Sequence, residues 1–144
     1  MNEHIESFIK SKHIAVVGVS GRKFGGTIYK SLKERGYSVW PVHPTSRAFK
    51  GEACYASLRS IPEQVDAAVI AVSPANAEKV VEDAIQAGIS KLWFQQGADF
   101  SKVVQKAKAN GMEVVSGKCI LMYTQPVRGI HGVHRFIARL FGRL

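Results

Sequence analysis

Ile14-Ala15-Val16-Val17-Gly18-Val19-Ser20-Gly21-Arg22-Lys23-Phe24-Gly25-Gly26 is an apolar run that gives way to glycines and restarts at helical spacing. Residues 13–19 are β-branched and apolar without polar alternation, the pattern of a strand covered on both faces. Phe24, Ile28 and Leu32 then recur every four residues, and Gly36 stops the helix. A strand, a glycine-rich turn and a helix in that order leave free backbone N–H groups at a helix N-terminus, where an anionic phosphate is held. The expected ligand is therefore nucleotide-like.

The alternation continues on both sides of this unit. Ile5, Phe8 and Ile9 mark a short amphipathic helix before it. Residues 38–43 read as a second strand, which Pro41 confines to an edge or a strand end because it lacks an N–H. A loop through Lys50 and Gly51 leads to residues 55–58, read as a helical turn. Residues 67–72 form another apolar run, after which Ser73 as N-cap and Pro74 as first helical residue open a helix. Its apolar face is Ala77, Val80, Val81, Ala84 and Ile85, and Gly88 closes it. Residues 92–95 are the next strand, Phe100, Val103, Val104 and Ala107 the next helical stripe, and residues 112–115 the last strand.

Strands separated by helices of this length predict a single doubly wound α/β domain, Rossmann-like, with a parallel sheet and helices on both faces. Ligands of such sheets bind beyond the carboxyl ends of the strands, where the winding reverses. Residues 18–26, 43–50, 72–75 and 95–98 are expected to converge there. The expected division is a domain over residues 1–123 and a helical tail over 124–144, packed on the same domain.

Composition sets the outer bounds. The chain of 144 residues carries 20 Lys and Arg against 11 Asp and Glu, a formal net charge of +9. That balance favours a polyanionic partner without choosing among nucleic acid, anionic lipid and a phosphate-rich cofactor. No apolar run is long enough to span a bilayer, and the acidic start at residues 1–6 lacks the order of a signal peptide. Cys54 and Cys119 stand far apart without metal-ligand spacing, so no zinc site and no disulfide is expected, and the cytoplasm is the default location.

The glycine spacing bears on which nucleotide is bound. A dinucleotide fingerprint requires glycine where this chain has Ser20, and it places an acid after the second strand. Here that segment is His43-Pro44-Thr45-Ser46-Arg47, with Lys50 beyond. Arg47 and Lys50 suit an extra phosphate on an adenosine ribose, at the 2′ position in NADP or the 3′ position in coenzyme A. Arg22 and Lys23 suit a diphosphate.

With the runs Val17-Gly18-Val19-Ser20, Pro41-Val42-His43-Pro44, Trp93-Phe94-Gln95-Gln96-Gly97 and Val114-Val115-Ser116-Gly117-Lys118-Cys119, the chain resembles the stand-alone CoA-binding domain proteins. These are relatives of the N-terminal domain of the succinyl-CoA synthetase α subunit. The resemblance covers about residues 8–122, and its specificity lies in the order and spacing of the four runs. It implies a CoA site in which Gly18, Val19, Ser20 and Arg22 form the phosphate turn, extended by Gly21, Lys23 and Gly25, and Pro44 forms a wall beside His43. Val72, Ser73 and Pro74 would lie near the nucleotide and pantetheine, and Gln95, Gln96 and Gly97 at the next strand end. Two departures stand out. Many relatives carry Asp-Arg-Cys where this chain has Gly117-Lys118-Cys119, and the ligases place a basic residue where this chain has Thr45.

The implied function is non-catalytic binding of coenzyme A or a short acyl-CoA; the alternative is an NAD(P)-binding oxidoreductase or redox sensor. The related ligases transfer phosphate through a histidine of a second domain, so ligase activity is not expected of these residues alone. His43 has no orienting acid near it in sequence, which argues against a general base. Cys119, beside Lys118, offers a mixed disulfide with the CoA thiol, weighed against simple burial. Finally, Val133, Phe136, Ile137, Leu140, Phe141 and Leu144 face opposite Arg135, Arg139 and Arg143 in a basic amphipathic helix. Packing on its own sheet or against another protein chain, including a second copy, ranks above a membrane surface. Nucleic acid ranks last, since no aromatic platform accompanies the charge.

Overall fold

Apolar residues on both sides of a strand demand a helical layer on each face of the sheet. The computed structural model, which describes residues 3–19, 24–44, 48–49, 51–95 and 98–124, has that arrangement. After α1 (Glu3–Ile9) come β1 (His13–Val17), α2 (Phe24–Glu34) and β2 (Ser38–Val42). A small antiparallel hairpin, β3 (Ala48–Phe49) and β4 (Glu52–Ala53), precedes β5 (Ala67–Ile70), α3 (Pro74–Ala87) and β6 (Lys91–Gln95). The described part ends with α4 (Ser101–Ala109), β7 (Glu113–Lys118) and a 3₁₀ turn, Ile120–Met122. The tail helix expected from Gln125 onward lies outside the described residues.

The main sheet has five parallel strands in the order β2-β1-β5-β6-β7. From β1 the chain winds outward to β2, then crosses back over β1 to β5 and winds the other way. The reversal therefore falls between β1 and β5, as doubly wound topology requires. Strand alternation sorts the side chains. Ala15, Val17, Ala68, Ile70, Leu92 and Phe94 pack under α3 and α4. Ile14, Val16, Ala67, Val69 and Trp93 pack under α1 and α2. The continuous apolar runs are thus two interleaved core faces, all these residues being at most 4% exposed.

Pro41 sits where its missing donor costs nothing. β2 is an edge strand, and the Pro41 carbonyl faces outward to accept the Tyr55 N–H at 2.9 Å. The nitrogen of the same residue faces the same way, so the β1 ladder loses no bond. Residues 55–58 differ from the expected helical turn. Tyr55 instead pairs in parallel with Val42, and the 3₁₀ turn comes later, at Leu58–Ser60. The Tyr55 carbonyl accepts the His43 N–H at 2.9 Å, so the polypeptide extends the sheet edge before it turns. The hairpin β3–β4 had no counterpart in the sequence reading, because two-residue strands show no periodicity. It docks on α2 through Phe49 against Tyr29, ring centroids 5.4 Å apart, and through Lys33 to Glu52 at 2.6 Å.

Candidate functional site

The turn after β1 is built by two close backbone approaches. Gly18 has φ +104°, and a Cβ there would lie 2.4 Å from the Ala71 carbonyl oxygen. Its N–H donates to the Val42 carbonyl at 3.0 Å, and the Ala71 N–H donates to the Val17 carbonyl at 2.9 Å. The ends of β1, β2 and β5 are thereby laced together at one residue that admits no side chain. Gly25, in the first turn of α2, brings the helix equally close: its Cβ would lie 2.3 Å from the Gly18 carbonyl oxygen. Both glycines therefore have a packing reason, and both hold the N-terminus of α2 against the strand ends.

Between these ends, the first turns of α3 and the Ser57–Leu58 segment lies a crevice of about 430 Å³. That falls in the range of small-molecule sites, roughly 300–1,000 Å³. Val17, Gly18 and Val42 form its floor, with Ala71 and Val72 from the segment after β5. His43, Pro44, Ala56, Ser57 and Leu58 form one wall. Ser73, Ala75, Asn76, Lys79, Val80 and Asp83 form the other. It occupies the point where the winding reverses.

The crevice brings together Gly18, His43, Pro44, Val72 and Ser73 of the residues expected from sequence. Ser73 precedes Pro74 as the backbone cap of α3, yet its side chain makes no capping hydrogen bond. Val19 is 1% exposed and packs in the core beneath α2, so a ligand can meet only its backbone. Ser20, Gly21, Arg22, Lys23, Arg47, Lys50, Gln96 and Gly97 lie outside the described residues.

Sequence reasoning missed Asn76, Lys79 and Asp83. A signal was present: with Val80 they occupy positions i, i+3, i+4 and i+7 of α3, a stripe beside the buried Ala77, Val81 and Ala84. It also missed residues 56–58, which only the return of the chain along β2 brings to the site.

Gln95 and Cys119 are not among the residues lining this crevice. Gln95, 5% exposed, accepts the Ile120 N–H on Oε1 at 3.2 Å, while its Nε2 has no partner among the described residues. Cys119, 7% exposed, heads the 3₁₀ turn after β7, on the sheet edge farthest from β2. Pro74 lines a neighbouring depression of about 610 Å³ between the first turns of α3 and α4. That depression carries the carboxylates of Glu78 and Asp99. Hydrogen bonds from the Ser101 hydroxyl and N–H hold the Asp99 carboxyl below the usual range, and Lys102 lines the same depression.

Among the described residues no cluster of His, Cys, Asp or Glu is arranged to hold a metal ion, and no helix is long and apolar enough to cross a membrane.

Comparison with known proteins agrees with this geometry. A family described as the CoA binding domain matches residues 12–125. The chain is 31% identical over 130 residues to acetate–CoA ligase (ADP-forming) I of Archaeoglobus fulgidus, a match covering 82% of this chain and 19% of the ligase. It is 29% identical over 113 residues to the uncharacterized protein YneT of Bacillus subtilis, covering 77% of this chain and 84% of that one. Among solved structures, a hypothetical protein from Pyrococcus horikoshii superposes with a TM-score of 0.78 at 31% identity, covering 84% of this chain and 87% of that chain. The chain thus spans about a fifth of the ligase but most of the small relatives.

Proposed function

We propose, from the premise that this chain belongs to the CoA binding domain family, that it binds coenzyme A or a short acyl-CoA without transforming it. The observation that carries this reading is the crevice at the β1–β5 reversal, with Gly18 at its floor, inside the span that matches the family. Its chemistry suits the ligand. The lining is largely aliphatic, and Ser73, Asn76, Lys79 and Asp83 make no side-chain hydrogen bond or ion pair among the described residues. In this reading the diphosphate lies over the turn between β1 and α2, on Gly18, the backbone of Val19, and residues 20–23 with Gly25. Pro44 and Val72 flank the nucleoside, and Arg47 and Lys50 meet the 3′-phosphate. Ser73 and Pro74 border the path of the pantetheine, and Gln96 and Gly97 stand at the next strand end.

The ligase activity of the longer relatives is not carried over, because the match covers 19% of that ligase's length. A role beside another protein chain fits a binding module of this size, and acyl-group delivery to such a partner is the corresponding use of the site.

Calorimetric titration with coenzyme A, NADP and NAD in parallel, at two salt concentrations, tests the proposal. Saturable binding of coenzyme A that persists at the higher salt is the expected result, since nonspecific polyanion binding is screened. Saturation by a pyridine nucleotide with none by coenzyme A would overturn it.

A further inference from the structure

One motif of the sequence has no part in coenzyme A binding: the amphipathic stripe from Val133 to Leu144, which lies outside the described residues. The family match ends at residue 125, so the stripe also lies beyond the part of the chain that the family accounts for.

The described domain does not need the stripe as a cover. One face of the main sheet is packed under α1 and α2 and the other under α3 and α4. In the three central strands, residues 14–17, 67–70 and 92–94 are at most 4% exposed, so neither face calls for a fifth helix. The chain leaves this domain from a fixed point. Thr124 is 2% exposed, and Arg35 donates to its Oγ1 at 2.6 Å. Pro126, Gly129 and Gly132 then fall within the eight residues that precede the stripe, and both residue types oppose a continuous helix. Fully extended, that link reaches about 26 Å, enough to set the stripe clear of the domain.

Charge narrows the choice of partner. Arg128, Arg135, Arg139 and Arg143 fall in residues 125–144, without a single Asp or Glu. Of the 20 Lys and Arg these are four, so residues 1–124 are themselves in cationic excess, 16 against 11. A second copy of the chain would bring the same excess and repel the first. At helical spacing the apolar side chains of the stripe span about 140° of the circumference, and the last three arginines gather on the other side.

We infer that residues 133–144 form a helix that seats the protein on an anionic phospholipid surface. The apolar side enters the boundary of the acyl chains, and the arginines meet the headgroup phosphates. Such a surface supplies apolar depth and negative charge together, and the cationic domain adds attraction at longer range.

Flotation of the whole chain with phosphatidylcholine vesicles, with and without phosphatidylglycerol, tests this. Binding to the anionic vesicles alone is expected, weakening as salt rises. Arg139→Gln should weaken it about fivefold, the scale of one cation near a charged surface. Leu140→Asp should weaken it at least about tenfold, because it removes a buried apolar side chain. Both variants should keep the wild-type unfolding midpoint, since the stripe stands off the packed domain. Absence of binding to anionic vesicles would overturn the inference. So would binding that Leu140→Asp leaves unchanged, which would assign it to the general charge of the domain. A lowered unfolding midpoint for Leu140→Asp, or a native mass that it halves, would overturn it in favour of packing on the domain or between copies. No nucleotide enters these measurements, so none of the outcomes bears on the coenzyme A site.

Discussion

The carboxyl edge of the sheet has two halves that treat polar groups in opposite ways. At β1, β2 and β5 the backbone is tied together at Gly18, while Ser73, Asn76, Lys79 and Asp83 line a crevice and make no side-chain hydrogen bond among the described residues. At β6 and β7 the polar groups are turned inward. Trp93, 0% exposed, donates Nε1–H to the Lys118 carbonyl at 2.9 Å, and Gln95 holds the Ile120 N–H. Arg35 then reaches from the end of α2 to Thr124 Oγ1 at 2.6 Å and the Leu121 carbonyl at 3.2 Å, pinning the segment that follows. One half spends polar side chains on its own chain, and the other leaves them unpaired among the described residues. The same fold produces both because only the first half lies at the reversal of winding, where helices diverge to opposite faces and leave a gap.

Breaking the lacing at Gly18 should have the largest effect, because it serves both stability and the site. Alanine there combines a left-handed backbone with a Cβ lying 2.4 Å from a carbonyl oxygen. Gly18→Ala should lower unfolding stability by about 3 kcal/mol or more in denaturant titration and abolish saturable binding of coenzyme A. A stable, fully binding variant would show that the strand ends are not held by this residue.

The half at β6 and β7 should respond differently. Trp93→Phe removes the indole donor, leaves the Lys118 carbonyl unpaired and opens a small void beside Phe8, whose ring centroid lies 5.3 Å away. A loss of about 2 kcal/mol is expected, with coenzyme A affinity within about twofold of wild type. A large loss of affinity in a folded variant would mean that the two halves act as one site.

The smallest effect belongs to the rim between them. The Ser101 hydroxyl and N–H both donate to Asp99 at the start of α4, and they lower its carboxyl pKa. A depressed carboxyl contributes stability that is present above its unfolded value and lost as pH falls through the folded value. The carboxyl is exposed, so the contribution is small and salt-sensitive. Side-chain NMR titration should place Asp99 below an ordinary aspartate, and Asp99→Asn should flatten this part of the acid limb. An unshifted Asp99 would mean that the two hydrogen bonds from Ser101 do not hold its carboxylate in solution.

How much of this was readable depends on whether a signal is local. The five main strands and four helices follow from periodicity, because burial on two faces leaves runs such as residues 67–70 wholly apolar. Gly36 and Gly88 follow α2 and α3 as the stops they were read to be. Limits were harder: β7 runs on to Lys118 because it keeps pairing with β6 past the irregularity between Phe94 and Gln95, and no apolar pattern marks that extension. For the site, Gly18, His43, Pro44, Val72 and Ser73 were legible because each directly follows a strand. Gln95 also ends a strand, yet β6 is one strand away from the reversal, and its amide oxygen is engaged by Ile120.

The order of strands, turns and helices was determined by the sequence alone, since hydrophobic periodicity and glycine placement act over a few residues. It also located the glycine turn and excluded a strict dinucleotide fingerprint through Ser20. Only tertiary structure decided that residues 56–58 and the Asn76, Lys79 and Asp83 stripe share a crevice with Gly18. Their meeting depends on the crossover that carries the chain from β2 back over β1 to β5. Contacts made across such a crossover join residues far apart in the chain, and no local pattern encodes them.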